Sequence, residues 1–157
     1  MNPSNQFRVA QFLLACSQPD GQRRVNTNND IILPLLRKYD IGFIVLAGWL
    51  PLIPDFLIDA FPHKIINIHP ALLPKYGGKG MWGHHVHEAV KAAGETETGM
   101  TVHWVTPECD AGEIIVQYRV ALSPDDSVET IAEKEHMLEM EHFPKVVEDI
   151  IKSAADN

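Results

Sequence analysis

The feature that most constrains this chain is the run Ile41-Gly42-Phe43-Ile44-Val45-Leu46-Ala47-Gly48, which has no polar side chain and ends in glycine. Such a segment has no face for water. Read as a strand, it must be covered on both sides, as the inner strands of parallel α/β sheets are. Lys64–Ile68 repeats the pattern. Between the two lies Pro54–Phe61, a short helical segment with proline in its first turn, where no donor is lost.

The rest of the chain alternates in the same way. Asn28 or Asn29 can cap a helix to about Lys38, with Ile31, Ile32, Leu35 and Leu36 on one face, although Pro34 should break or kink it. After the Pro/Gly-rich loop Pro70–Gly83, His84–Ala93 reads as a helix ended by Gly94. Met100–Val105 and Ile114–Ala121 read as strands separated by Thr106–Glu113. Ser127 should cap a helical stretch to Ala155, which Pro144 should divide in two. Residues 1–27 fit a strand or a helix equally well through Phe7, Val9, Phe12, Leu13 and Leu14, with a turn at Pro19-Asp20-Gly21. Strands alternating with helices predict an α/β sandwich with a largely parallel sheet. With no repeat or linker in 157 residues, 1–157 reads as a single domain.

Composition narrows the function. A net charge of −8 argues against nucleic acid as the main partner, because phosphate binding rests on a Lys/Arg surplus. The longest apolar stretch, Ile41–Ile53, is too short and too interrupted to cross a membrane. The first residues lack a basic-then-apolar leader pattern. Cys16 and Cys109 have no metal or redox spacing, so a reducing cytoplasm is expected.

In open α/β sheets, ligands bind beyond the carboxyl ends of the strands. That rule selects Gly48-Trp49-Leu50-Pro51-Leu52-Ile53, Asn67-Ile68-His69-Pro70 and Thr106-Pro107-Glu108-Cys109-Asp110-Ala111-Gly112. Together they offer an amide, an imidazole, a carboxylate and an apolar wall, a set suited to polarising a carbonyl and moving a proton. Each piece also has a plain structural reading: a capped histidine, a turn aspartate, a core aromatic. His84-His85-Val86-His87 hints at metal, but no i, i+4 pair sets two imidazoles on one helical face, and a solvated helix start explains it. Glu133-Lys134-Glu135 reads as an exposed helix face.

Several segments in order resemble one enzyme family: Leu46-Ala47-Gly48-Trp49, Asn67-Ile68-His69-Pro70-Ala71-Leu72-Leu73-Pro74-Lys75-Tyr76, Thr101-Val102-His103-Trp104-Val105 and Asp110-Ala111-Gly112-Glu113-Ile114-Ile115. Between about Asp30 and Ile151 the chain is similar to the phosphoribosylglycinamide formyltransferases, the folate-dependent enzymes of purine synthesis. The resemblance implies an α/β three-layer sandwich with a largely parallel, Rossmann-like sheet, shortened at its amino end. It also implies transfer of a formyl group from 10-formyltetrahydrofolate to the amine of 5′-phosphoribosylglycinamide, with no metal or tightly bound cofactor. Asn67, His69 and Asp110 match the family's catalytic trio. Leu50, Pro51, Leu52 and Ile53, preceded by Trp49, match the segment that holds the pterin. Thr106, Pro107, Glu108 and Cys109 match the other side of that pocket, and Glu139 matches an acidic residue that contacts the glycinamide substrate.

On that pattern the Asn67 amide and a charged His69 would donate hydrogen bonds to the formyl oxygen, with Asp110 as carboxylate partner and proton relay. One part of the pattern is missing. The family opens with a strand and a Gly/Ser-rich loop that cradles phosphate at a helix N-terminus, whereas Met1–Asn29 contains only Gly21. Impaired transfer is therefore expected, together with an exposed sheet edge that invites a homodimer. Two other readings stay open: a non-catalytic remnant that binds folate or pairs with another chain, and a metal-dependent hydrolase built on the histidines.

Overall fold

A computed structural model describes residues 8–11, 29–48 and 52–155. In chain order the elements are β1 (Arg8–Gln11), α1 (Asn29–Lys38), β2 (Ile41–Ala47), α2 (Asp55–Ala60) and β3 (Ile65–His69). They continue with α3 (His84–Ala92), β4 (Glu97–Trp104), β5 (Ile114–Ala121) and α4 (Val128–Ala155). The strands form one sheet in the order β1-β2-β3-β4-β5.

The apolar run of β2 is covered on both sides, as its lack of a polar face requires. Ile44 and Leu46 join Ile65, Leu36 of α1 and Leu57 of α2 in one core layer. Phe43 and Val45 join Ile66, Ile68, Met100, Val102 and Val146 of α4 in the other. The result is the three-layer, Rossmann-like arrangement of helices, sheet and helices. Pro54 stands at the N-cap of α2, and Gly94 follows α3 with φ 65, a conformation that suits glycine.

The sheet is mixed. β1, β2 and β3 run parallel, as expected, but β4 is antiparallel to β3 and β5 is antiparallel to β4. The turn-back is held by contacts between residues far apart in the chain. After β3 the chain stays at the carboxyl edge of the sheet, where the Thr101 hydroxyl donates to the Ala71 carbonyl (2.6 Å) and accepts from the Leu73 N–H (3.1 Å). Fastened there, the chain re-enters the sheet from the end at which it left.

Two helices pass through their prolines. α1 is continuous across Pro34 and α4 across Pro144, where a break had been expected. An interior proline costs roughly 3 kcal/mol. α4, however, packs Leu138 and Phe143 before Pro144, and Val146, Val147, Ile150 and Ile151 after it, against the sheet. Each such side chain contributes about 1.5–3 kcal/mol when fully buried, so together they outweigh the interruption. The expected Ser127 cap is present, its Oγ accepting from the Thr130 N–H at 3.2 Å. Of the ambiguous residues 1–27, Arg8–Gln11 is a strand and the others lie outside the described residues.

Candidate active site

Asn67 and His69 are two positions apart on β3 and so share one face of the sheet, while Ile66 and Ile68 point into the α4 layer. The antiparallel register sets Asn67 opposite His103 and His69 opposite Thr101. Asp110 arrives from the loop after β4 with φ 52, a left-handed conformation that aspartate tolerates better than most residues. The three residues expected at strand ends therefore converge.

The carboxylate of Asp110 lies between two imidazoles. Its Oδ2 is 3.6 Å from His69 Nδ1 and its Oδ1 is 3.6 Å from His103 Nε2. These are ion-pair distances rather than hydrogen bonds. A direct hydrogen bond comes from the backbone, where Gly78 N–H donates to Oδ2 at 2.9 Å. Its neighbour Gly77 is placed by close approach: a Cβ there would meet Leu73 Cδ2 at 2.4 Å and Asp110 Cβ at 3.3 Å.

The partners determine the histidine tautomers. His69 is 4% exposed, and its Nε2 is 2.7 Å from the Tyr76 carbonyl. A carbonyl only accepts, so Nε2 carries a proton and Nδ1 is the nitrogen facing Asp110. His103 donates through Nδ1 to the Trp104 carbonyl at 2.9 Å, leaving Nε2 to accept from Asn67 Nδ2 at 3.2 Å. Burial lowers the His103 pKa from the ordinary histidine value, against the upward pull of the Trp104 carbonyl and Asp110, which fits a neutral acceptor. His103 thus orients the Asn67 amide, whose second Nδ2 hydrogen has no partner among the described residues. Sequence reasoning did not assign His103, Tyr76, Gly77 or Gly78 to the site. The signal for His103 was its register opposite Asn67, which becomes visible only once β4 is known to run antiparallel.

The remaining expected residues are spread more widely. Thr106, Pro107, Glu108 and Cys109 are exposed on the loop before Asp110, with the Thr106 hydroxyl donating to the Glu108 carbonyl at 3.1 Å. The Cys109 thiol approaches Asp110 Oδ2 at 3.6 Å, and burial together with that carboxylate pushes its pKa up. Leu52 is 67% exposed, and Ile53 packs on the α1/α2 core layer. Trp49, Leu50 and Pro51 lie outside the described residues. Glu139, half-buried on α4, accepts from His136 Nδ1 at 3.4 Å, a partner outside the strand-end trio. One turn earlier, Glu135 is 3% exposed rather than on an open helix face, and its Oε1 has no partner. Burial, followed by the charge and hydrogen bond of Glu139, pushes the Glu135 pKa up to about 9. In the histidine-rich segment, His85 pairs with Glu88 at 3.2 Å and His87 is buried. Among the described residues no three His, Cys, Asp or Glu side chains group as a metal site.

An amide, an imidazole and a carboxylate aimed at one point can stabilise an oxyanion and take up a proton. The formyl transferase family model matches residues 4–147 of this chain. The chain belongs to the formyl transferase family. Among curated members, it is 43% identical to the chloroplastic phosphoribosylglycinamide formyltransferase of Arabidopsis thaliana over 129 residues, covering 80% of this chain and 44% of that protein. It is 38% identical to the phosphoribosylglycinamide formyltransferase of Bacillus subtilis, covering 92% of this chain and 70% of that one. The crystal structure of glycinamide ribonucleotide transformylase 1 from Geobacillus kaustophilus superposes with a TM-score of 0.72 at 35% identity, over 81% of this chain and 65% of that chain. A formyltetrahydrofolate deformylase from Pseudomonas syringae shares the fold with a TM-score of 0.62 at 30% identity, over 69% and 35% of the two chains. The chain spans about half the length of the plant formyltransferases it matches (44% and 47%).

Proposed function

We propose that this formyl transferase domain moves the formyl group of 10-formyltetrahydrofolate onto the amine of 5′-phosphoribosylglycinamide, a step of purine biosynthesis. The observation that carries this reading is that Asp110 stands 3.6 Å from both His69 and His103, and that His103 is hydrogen-bonded to Asn67. The amine nitrogen attacks the formyl carbon, and the carbonyl electron pair moves to oxygen. The second Asn67 Nδ2 hydrogen and the Nδ1–H of His69 in its imidazolium form donate to that oxygen, since His69 Nε2 is already engaged by Tyr76. Asp110 accepts the proton released by the amine and returns it through water to N10 of the folate. The new C–N bond forms in this addition; the oxygen electron pair then re-forms the carbonyl as the C–N10 bond breaks and N10 takes up the proton.

Leu52, which is exposed, and Ile53, with the preceding Trp49, Leu50 and Pro51, are assigned by sequence to one side of the pterin pocket, and Thr106, Pro107, Glu108 and Cys109 to the other. Glu139 is assigned to contact with the glycinamide substrate. No helix among the described residues is long and apolar enough to cross a membrane, and a reducing compartment, the cytoplasm, is the proposed setting. Homodimerisation through the sheet edge belongs to the same reading.

Steady-state formyl transfer tests the assignment. Asn67→Ala and Asp110→Asn should each lower kcat/KM by on the order of 10²–10³, the usual cost of one such group. Full activity in Asp110→Asn would refute the mechanism. A parent chain that binds a folate analogue calorimetrically but gives no product would favour the non-catalytic reading.

A further inference from the structure

His69 can present Nδ1 to the site only while its other nitrogen is held, and the holder is the Tyr76 carbonyl at 2.7 Å. Tyr76 has φ 57, a conformation an L-residue with a bulky side chain adopts only when something fixes it. The fixing contact is polar. The Tyr76 hydroxyl donates to Glu95 Oε1 at 2.8 Å, and the same oxygen accepts from Lys75 Nζ at 2.8 Å. Glu95 is anchored in turn, since it follows the Gly94 turn at the end of α3 and its N–H reaches the Val90 carbonyl at 3.4 Å. Lys75, Tyr76 and Glu95 line a pocket of about 270 Å³ together with Leu72, Pro74, Val90 and Thr98.

The charge states agree with this direction of donation. The Lys75 hydrogen bond holds the Glu95 carboxyl below its usual range, so Glu95 accepts. Burial and Glu95 push the Tyr76 hydroxyl up to about 12, so Tyr76 donates.

We propose that Tyr76, tethered through its hydroxyl to Glu95, is a positioning residue that fixes the ring orientation and tautomer of His69. The use to which Nδ1 is then put rests on the proposed formyl transfer, whereas the tether itself is independent of it.

Histidine-selective ¹⁵N NMR of the full chain separates the two. In the parent, neutral His69 should carry its proton on Nε2 with slow solvent exchange. Tyr76→Phe and Glu95→Ala should each speed that exchange at least about tenfold, the scale of one hydrogen bond to a charged group, and mix the two tautomers. Glu95→Gln, whose amide oxygen still accepts the hydroxyl proton but without the charge, should fall between the parent and Glu95→Ala. Circular dichroism checks that each variant is folded, and if Tyr76→Phe does not fold, the two Glu95 variants decide. Unchanged exchange in Tyr76→Phe, or Glu95→Gln behaving like Glu95→Ala, overturns the proposal. The expected NMR pattern in a parent chain that yields no formyl-transfer product would support the tether while refuting the proposed reaction.

Discussion

Glu135→Gln should change how the stability of this domain responds to pH. The buried Glu135 carboxyl is raised to about 9 in the folded chain from an ordinary value of 4.5. Between those limits the folded state keeps a proton that the unfolded chain has released. The stability contributed by Glu135 is therefore fully present below the unfolded value and is lost as pH rises through the folded one. The slope is at most about 1.4 kcal/mol per pH unit. From about pH 7 to about pH 8.5 the parent should thus lose up to roughly 2 kcal/mol that Glu135→Gln retains. That window avoids His87 and His103. Burial lowers both, so their contribution is present above the ordinary histidine value of 6.5 and is lost as pH falls below it. A difference of this size is a measurable fraction of a typical domain stability of about 5–15 kcal/mol. Urea unfolding of both proteins across the window gives the two slopes. Parallel curves would refute the reasoning and show Glu135 ionised in the folded state.

Two further outcomes follow from local geometry. Gly77→Ala places a methyl group 2.4 Å from Leu73 Cδ2 and 3.3 Å from Asp110 Cβ; it should destabilise by about 1–3 kcal/mol and, by pushing on the Asp110 side chain, lower formyl transfer, checked by denaturation and steady-state kinetics. Ser127→Ala removes the acceptor for the Thr130 N–H and should cost about 1 kcal/mol in urea unfolding with kcat/KM unchanged.

The elements legible in the sequence were those whose cause is local. A polar-free run forced β2 inside, Pro54 and Gly94 marked helix ends, and Ser127 marked another. Strand direction was not legible, because the apolar side chains of β4 would be buried equally well in either sense; the hydroxyl contacts of Thr101 with loop 70–73 decided it. Pro34 and Pro144 misled for a related reason: the residue carries its local cost in the sequence, while the compensating burial comes from partners far along the chain. The site divides in the same way. Asn67, His69 and Asp110 could be selected as strand-end residues, whereas His103 depends on register and Tyr76 acts through a backbone carbonyl, which no side-chain pattern reveals. Glu135, read as part of an open charged face, is buried because its turn of α4 faces inward.

The left-handed backbone of Asp110 (φ 52) has a consequence for inheritance. Glycine, asparagine and aspartate occupy that region with least strain, so most replacements there would disturb the loop and be exposed to quality control. Asparagine would not, and its codons differ from those of aspartate by one base. A single nucleotide change can therefore remove the carboxylate while the polypeptide folds and accumulates as before. At this position the chemistry can decay without the fold recording it, so among descendants of such a domain the survival of the architecture says little about the survival of the reaction.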